Sequence, residues 1–600
     1  VDTLKNSLTS ADYRKFLFGR SRSNFLGYLI ILFYIIITIF TMLHHELWRD
    51  EAQAWCIVRD LSIFDIYNTS RIEGHPILWY LLIMPFAKLS IPVISMQIIS
   101  LLLMICGVIF FVFKSPCNNF LKIAFIFSAG MLYYFPIIAR NYSLIPILIF
   151  ITANLYKTRT QHPFLYASIL ILLSNTHVFM LIFCIFLSCE FINNLITQSL
   201  SLASELYGYL TYNQVSSDNS PSLTNQSQIN SHTIRTHNPV SKPLGSSTEP
   251  NGCSPFKVDT LKNSLTSADY RKFLFSRVFP ILILIINFVF LFISFYNTNN
   301  INSTISAYHE QQYNLYTTIR FFANSFFIYP FQFYKNFNIY LLLTIFAVIL
   351  GFFYKNNKKI FILLLLCSSF QFYICSKIWY GGIYYQKSFV LILIIMFCYW
   401  IYKDTTTKRE YILTITMCLF LTFSLISSPF KIRLEYKYPF SGTKEISEYI
   451  KHNLNNTDMF YIKGPEYCFS GISAYLPDKK FFSNKENSYM TYYRFKNHSD
   501  IHNSLKIEYN PVSQSLASST EPHGYSPFKV DTLKNSLTPA AYREFLFGRN
   551  PKNLKYYIVL DGYKVDSDFI EIYKTDKNII NKTGNSNEIY SIYIEKRKKL

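Results

Sequence analysis

The sequence predicts a mainly α-helical polytopic membrane protein, with about 11 transmembrane helices followed by a small external α/β domain. Three observations lead there. Half of the 600 residues are hydrophobic and only 16% are charged, too apolar for an ordinary soluble chain of this length. Apolar stretches recur from Phe25 to about Ser428, most of them near the roughly 20 residues that cross a hydrocarbon core of about 30 Å. After Ser428 they stop, and short helical and strand patterns take over.

The formal net charge of +21 does not point to nucleic acid. Lys and Arg sit largely in short links between apolar stretches, where they set membrane orientation. The eleven cysteines lie mainly inside the apolar stretches, without a CxxC pair or a His cluster at ligand spacing, so neither a disulfide framework nor a structural zinc is implied. No organic cofactor is called for. The abundance of Ile, Asn, Lys, Phe and Tyr looks like AT-rich coding bias.

The segment Val1 to Arg20 (VDTLKNSLTSADYRKFLFGR) returns at Val258 to Arg277, with Gly19 replaced by Ser276, and again at Val530 to Arg549 with a few more changes. A solenoid repeats every 20–50 residues or so with stacked neighbours; these copies are far apart and in unrelated contexts. Near-identity in such settings means recent copying, and the segment resembles the peptide encoded by rickettsial palindromic elements, mobile sequences that insert in frame. The stretch from about Gln198 to His237 is rich in Ser, Asn, Thr and Gln and is expected to be disordered. The resulting plan is a repeat-derived segment 1–23, a membrane core 24–197 with an external loop 44–75, an inserted cytoplasmic segment 198–277, further membrane helices 278–428, and an external domain 429–600 interrupted by a copy at 510–549.

Arg14, Lys15, Arg20 and Arg22 precede the first span, Phe25 to Leu43, which puts the N-terminus in the cytoplasm. Ile77 to Leu89 reads as a membrane-surface helix. Further spans are expected at Ile91–Phe113, Ala124–Ile138, Ser143–Tyr156, Phe164–Ser174, Val178–Ile196, Phe279–Tyr296, Ile339–Phe353, Phe361–Cys375, Ser388–Tyr402 and Tyr411–Ser427, with another surface helix near Arg320 to Tyr334. The basic links at Lys157–Arg159, Lys355–Lys359 and Lys403–Arg409 then all fall inside.

With this topology, the remaining polar groups gather on the outer side. The first external loop carries His44-His45-Glu46-Leu47-Trp48-Arg49-Asp50-Glu51 and then Arg71-Ile72-Glu73-Gly74-His75-Pro76. Such a run reads either as a solvated loop or as groups that bind a cation or share proton-transfer work. Later outer turns bring Arg140-Asn141-Tyr142, Asn175-Thr176-His177 and a turn ending in Lys387. An Arg or Lys at a span end either snorkels to headgroups or holds a phosphate.

The order WRDEAQAW, EGHPILWYLL, ARNYSL and NTHVFML resembles the polytopic GT-C glycosyltransferases, in particular bacterial members related to protein O-mannosyltransferases and aminoarabinose transferases. The resemblance covers most of Leu43 to Leu181. Two departures are Ile77, where the family element has a second proline, and the YYQK turn, where related chains carry Arg-His. The resemblance implies transfer of a sugar from a polyprenyl-phosphate donor to a glycan, lipid or protein acceptor on the outer face of a bacterial inner membrane. It makes Asp50 and Glu51 the catalytic carboxylates and Arg140, His177 and Lys387 the donor-phosphate residues. Glu73, His75 and Tyr142 would organise substrate, Glu73 and His75 with a divalent metal cation. Two other readings stay open: a transporter or channel, because charge in a membrane also marks substrate pathways, and an inactive relative, because three inserted copies have been accepted.

In the C-terminal domain, helices are expected over Lys444–Leu454 and from Gly471 to Leu476, and strands at Asp458–Ile462 and Tyr556–Leu560. Cys468 stands nearly alone there.

Overall fold

The computed structural model describes residues 21–73, 75–218, 267–296, 319, 337–375, 385–405, 410–454, 459–463, 466–483, 488–492, 555–560, 565, 569–575 and 588–595. The helices run in the order α1 (Ser21–His44), α2 (Arg49–Asp60), α3 (Ile63–Ile72), α4 (Leu78–Lys88), α5 (Ile94–Lys114), α6 (Asn119–Ile126), α7 (Leu144–Leu155), α8 (Pro163–Ser174), α9 (Leu181–Asp218), α10 (Ser267–Tyr296), α11 (Phe337–Asn356), α12 (Lys358–Tyr373), α13 (Tyr385–Thr405), α14 (Glu410–Lys437), α15 (Thr443–Asn453) and α16 (Ser470–Tyr475). The expected surface helix near Arg320 to Tyr334 lies outside the described residues, Ile319 apart.

Among the described residues, five helical segments are long and apolar enough to cross a membrane: Phe25–His44, Ile94–Lys114, Val178–Ser201, Phe275–Ser294 and Tyr411–Lys437. That is fewer than the 11 expected. The difference lies in part in apolar helices that form where foreseen but stay short, such as α8, α12 and the stretch Asn141–Leu155. Hydropathy registers the apolar run but not where its hydrogen-bond ladder breaks.

One such break changes the architecture. The expected span Ala124 to Ile138 is not one helix: α6 ends at Ile126 and a π-helical turn follows at Gly130–Tyr134. Serines of α14 take up the loosened backbone, Ser428 donating to the Phe127 carbonyl (2.7 Å) and Ser424 accepting from the Ala129 N–H (3.1 Å). Away from water, irregular backbone persists only where such partners exist.

The inserted segment also departs from expectation. Helix α9 continues through the start of the polar stretch to Asp218, and α10 already begins at Ser267, inside the second repeat copy. A helix nucleated by a packed apolar segment propagates cheaply, one hydrogen bond per residue added; composition alone misses this.

The C-terminal unit is a six-stranded sheet of β1 (Met459–Lys463), β2 (Phe481–Ser483), β3 (Ser488–Met490), β4 (Lys555–Leu560), β5 (Phe569–Lys574) and β6 (Tyr590–Glu595) in the order β3-β2-β1-β4-β6-β5. The expected helices and first and fourth strands form; β2, β3, β5 and β6 were not foreseen. Side chains alternate across the sheet. Phe460, Phe481, Tyr556, Ile558 and Ile592 join Ile446 and Ile450 of α15 and Ile472 of α16 in a buried core. Tyr489, Phe482, Tyr461, Tyr557 and Tyr593 form a row of register partners on the other face. This unit docks on α2 through α16, where Ser470 donates to Gln53 (2.6 Å) and Arg59 donates to the Ser473 carbonyl (2.9 Å).

The break after α6 requires glycine. A Cβ on Gly130 would lie 2.2 Å from the Phe389 ring of α13, whereas one on Gly351 in α11 would meet nothing within 4 Å. Gly130→Ala is therefore expected to destabilise by about 1–3 kcal/mol, and Gly351→Ala to be neutral or to stabilise by up to about 1 kcal/mol. Melting curves of the two variants in one detergent check this.

Candidate functional site

Helix α2 starts immediately after a four-residue turn from α1, and its first turn holds both carboxylates of the acidic pair. Acids there complement the helix dipole, which is the structural reason for such a pair. Neighbours on a helix point about 100° apart, so the two side chains enter different surroundings.

Glu51 turns inward and is fully buried. One oxygen accepts the Ala139 N–H (2.6 Å); the other accepts the Trp48 N–H (2.9 Å) and the His45 Nε2–H (3.0 Å). His45 Nδ1–H donates to Glu435 at the end of α14 (2.6 Å), and the Tyr133 hydroxyl donates to the other Glu435 oxygen. Burial by itself lowers the basicity of the His45 imidazole, but the Glu435 and Glu51 carboxylates outweigh it and raise the pKa to about 10. The ring is therefore a cation that donates from both nitrogens. Glu51 is thus committed to holding backbone and charge. Its placement does not suit the catalytic carboxylate role that the resemblance implies.

Asp50 faces the other way, its side chain 24% exposed. Arg140 Nη1 donates to it at 3.0 Å and Arg49 Nε lies 3.5 Å away. Arg140 Nη2 also donates to His75 Nε2 at 3.0 Å; guanidinium has no acceptor, so Nε2 is the unprotonated nitrogen of a neutral ring. The Trp48 ring lies beside the same guanidinium, 5.8 Å from its carbon. His177 packs 5.8 Å from His75 and 4.6 Å from Tyr142 between ring centroids. Its Nδ1 accepts the Phe179 N–H (3.2 Å), which leaves the proton of the neutral ring on Nε2. Asp50, His75, Arg140 with Tyr142, and His177, from four stretches of the chain, thus form one contiguous cluster beside the start of α2.

Glu73 backs this cluster. Its oxygens accept from Gln53 (3.0 Å) and Tyr80 (2.5 Å); burial pushes its carboxyl above the ordinary range, against the pull of those two bonds and of Arg140. A divalent cation needs converging, unprotonated oxygen and nitrogen donors. Here both Glu73 oxygens take hydrogen bonds and His75 Nε2 is turned to a guanidinium, so the pair as arranged does not fit a metal ion. Among the described residues no group of three His, Cys, Asp or Glu is placed to hold one. Lys387 opens α13, but its side chain lies outside the described residues.

The sequence reading missed His45, Tyr133 and Glu435. Glu435 lies beyond the expected last span, Tyr411–Ser427, and only the continuation of α14 to Lys437 turns it into an acid of an apolar helix, where carboxylates are rare unless partnered. The neighbouring Glu46 carboxyl is pushed up to about 7 by burial, with Lys444 and His45 pulling the other way. Burial holds the Cys468 thiol up at about 12, which makes it a poor nucleophile.

Because the folded state raises the His45 pKa, its contribution to stability is complete below the unfolded value near 6.5 and is lost as pH rises toward 10. The melting temperature should fall over that window, and His45→Gln should flatten the slope. The same substitution leaves Glu51 and Glu435 buried without their cation and should cost about 3–5 kcal/mol. Thermal unfolding across a pH series measures both.

The whole chain was compared with known proteins: no family model matches it, and no curated protein matches it.

Proposed function

We propose that the chain is a membrane glycosyltransferase that moves a sugar from a polyprenyl-phosphate donor to an acceptor hydroxyl at the outer face of a bacterial inner membrane. The observation that carries this reading is the chain of contacts Asp50–Arg140–His75 beside His177: one partly exposed carboxylate, one guanidinium and two imidazoles at the edge of the apolar helices. Displacing a phosphate from a sugar carbon calls for a carboxylate base and for cationic or N–H donors on the leaving group.

Asp50 is the base and Arg140 the phosphate ligand. The two neutralise each other at 3.0 Å. A donor phosphate draws the Arg140 guanidinium into its own charge-assisted bonds, and Asp50 is then released to accept the acceptor's proton. The acceptor oxygen bonds to the anomeric carbon, the carbon–oxygen bond to phosphate breaks, and the charge of the departing polyprenyl phosphate falls on Arg140 and the His177 Nε2–H. Glu51 acts at one remove, by fixing the two backbones that present Asp50 and Arg140.

In this reading the five long apolar segments, the five shorter ones at Asn141–Leu155, α8, Tyr340–Asn356, α12 and Phe389–Lys403, and the broken α6 segment make up the eleven crossings. The N-terminus is cytoplasmic and the sheet domain periplasmic.

Glycosyl transfer in membranes carrying wild type or Asp50→Ala, with a panel of polyprenyl-phosphate sugars and an envelope extract as acceptor, tests the proposal. Loss of the base should lower transfer by about 10²–10⁴-fold at unchanged protein level. Full transfer by Asp50→Ala removes Asp50 as base; no transfer by folded wild type with any donor favours a transporter or an inactive relative.

A further inference from the structure

The break between α6 and the π-helical turn leaves a trough on the lipid-facing side of the bundle. It has a volume of about 530 Å³ and runs between Ile37 and Phe40 of α1 and Leu425, Pro429 and Ile432 of α14, with Phe127 and Leu132 at its floor. Its walls are apolar, and two of the long membrane-spanning helices form its sides. Pro429, inside α14, lines it at the point where the helix lacks one ladder donor. At the outer end Tyr436 stacks on Phe40 (5.6 Å) and lies 4.8 Å from the His44 ring.

One cation belongs to this trough. Arg433 lines it, is exposed, and has no hydrogen-bond or ion-pair partner among the described residues. Glu435, two residues on, is committed on the inner face of α14 to His45 and Tyr133. Among the described residues, the trough wall therefore carries a positive charge without a counter-charge, above an apolar floor.

We propose that this trough binds one anionic phospholipid of the bilayer, with an acyl chain lying between α1 and α14 and its phosphate on Arg433. The surrounding solvent is hydrocarbon, so a lipid chain is what can fill an apolar trough here. At interior packing density a volume of about 530 Å³ takes on the order of twenty methylene groups, one acyl chain rather than a long polyprenyl tail. The guanidinium supplies the phosphate selectivity that a lipid-filled groove otherwise lacks. Occupancy needs no sugar transfer, so this site and the Asp50 reaction stand or fall separately.

The test is native mass spectrometry of the full chain taken from vesicles of phosphatidylethanolamine and phosphatidylglycerol, alone and with added polyprenyl phosphate. Wild type should retain one phosphatidylglycerol. Arg433→Gln should lower that retention by about tenfold, the loss of one charge-assisted bond, and Leu425→Trp should displace the chain by filling the trough; melting curves confirm that both variants fold. Retention unchanged in a folded Arg433→Gln, equal retention of phosphatidylethanolamine, or replacement of the retained lipid by polyprenyl phosphate overturns the proposal.

Discussion

The arrangement of the candidate site depends on the Glu51 carboxylate. With no exposed surface, it bonds to the backbone that starts α2 and to the backbone that precedes Arg140. Two strands of chain about 90 residues apart are thereby held at a fixed spacing, and Asp50 and Arg140 ride on them. Such a buried acid persists only with a counter-charge, which His45 supplies while also binding Glu435. The first and last membrane helices are therefore joined by the same charges that space the site.

This division of labour between adjacent acids has a simple origin. One carboxylate is buried among donors; its neighbour keeps partial exposure and ion pairs with Arg140 and Arg49, bonds that an incoming anion can exchange. The C-terminal unit secures the arrangement from its own side: the Tyr475 hydroxyl oxygen accepts the Leu47 N–H of the α1–α2 turn (3.1 Å), and the Thr443 hydroxyl donates to the Leu47 carbonyl (3.3 Å). The sheet domain thus braces the loop between α1 and α2, and its Glu588 lies 3.9 Å from Arg49, the residue next to Asp50.

Much of the site was legible in the sequence, because its parts sit next to apolar runs whose ends can be read. Asp50, His75, Arg140, Tyr142 and His177 each stand at such an end, and folding brings those ends together. The different duties of Asp50 and Glu51 were not legible, since they depend on which helix face turns inward. His45 and Glu435 are 390 residues apart, a pairing that no local spacing reports. The same limit explains the helices: apolar runs marked where α6 and α8 would form, but the break after Ile126 is set by hydrogen bonds to serines of α14 far along the chain.

The sheet topology bears on how the chain accommodates its third repeat copy. β3 ends at Met490 and its sheet neighbour across β2 and β1, β4, begins at Lys555, with residues 510–549 in between. The entropy of closing a loop grows only with the logarithm of its length, about 0.6 kcal/mol for each doubling. Removing the copy would shorten this connection by between one and two doublings, a cost of about 1 kcal/mol. Inserted within β1 or β4, the same residues would separate paired strands in the centre of the sheet. A segment of that length placed between strands instead costs the sheet little more than one surface substitution.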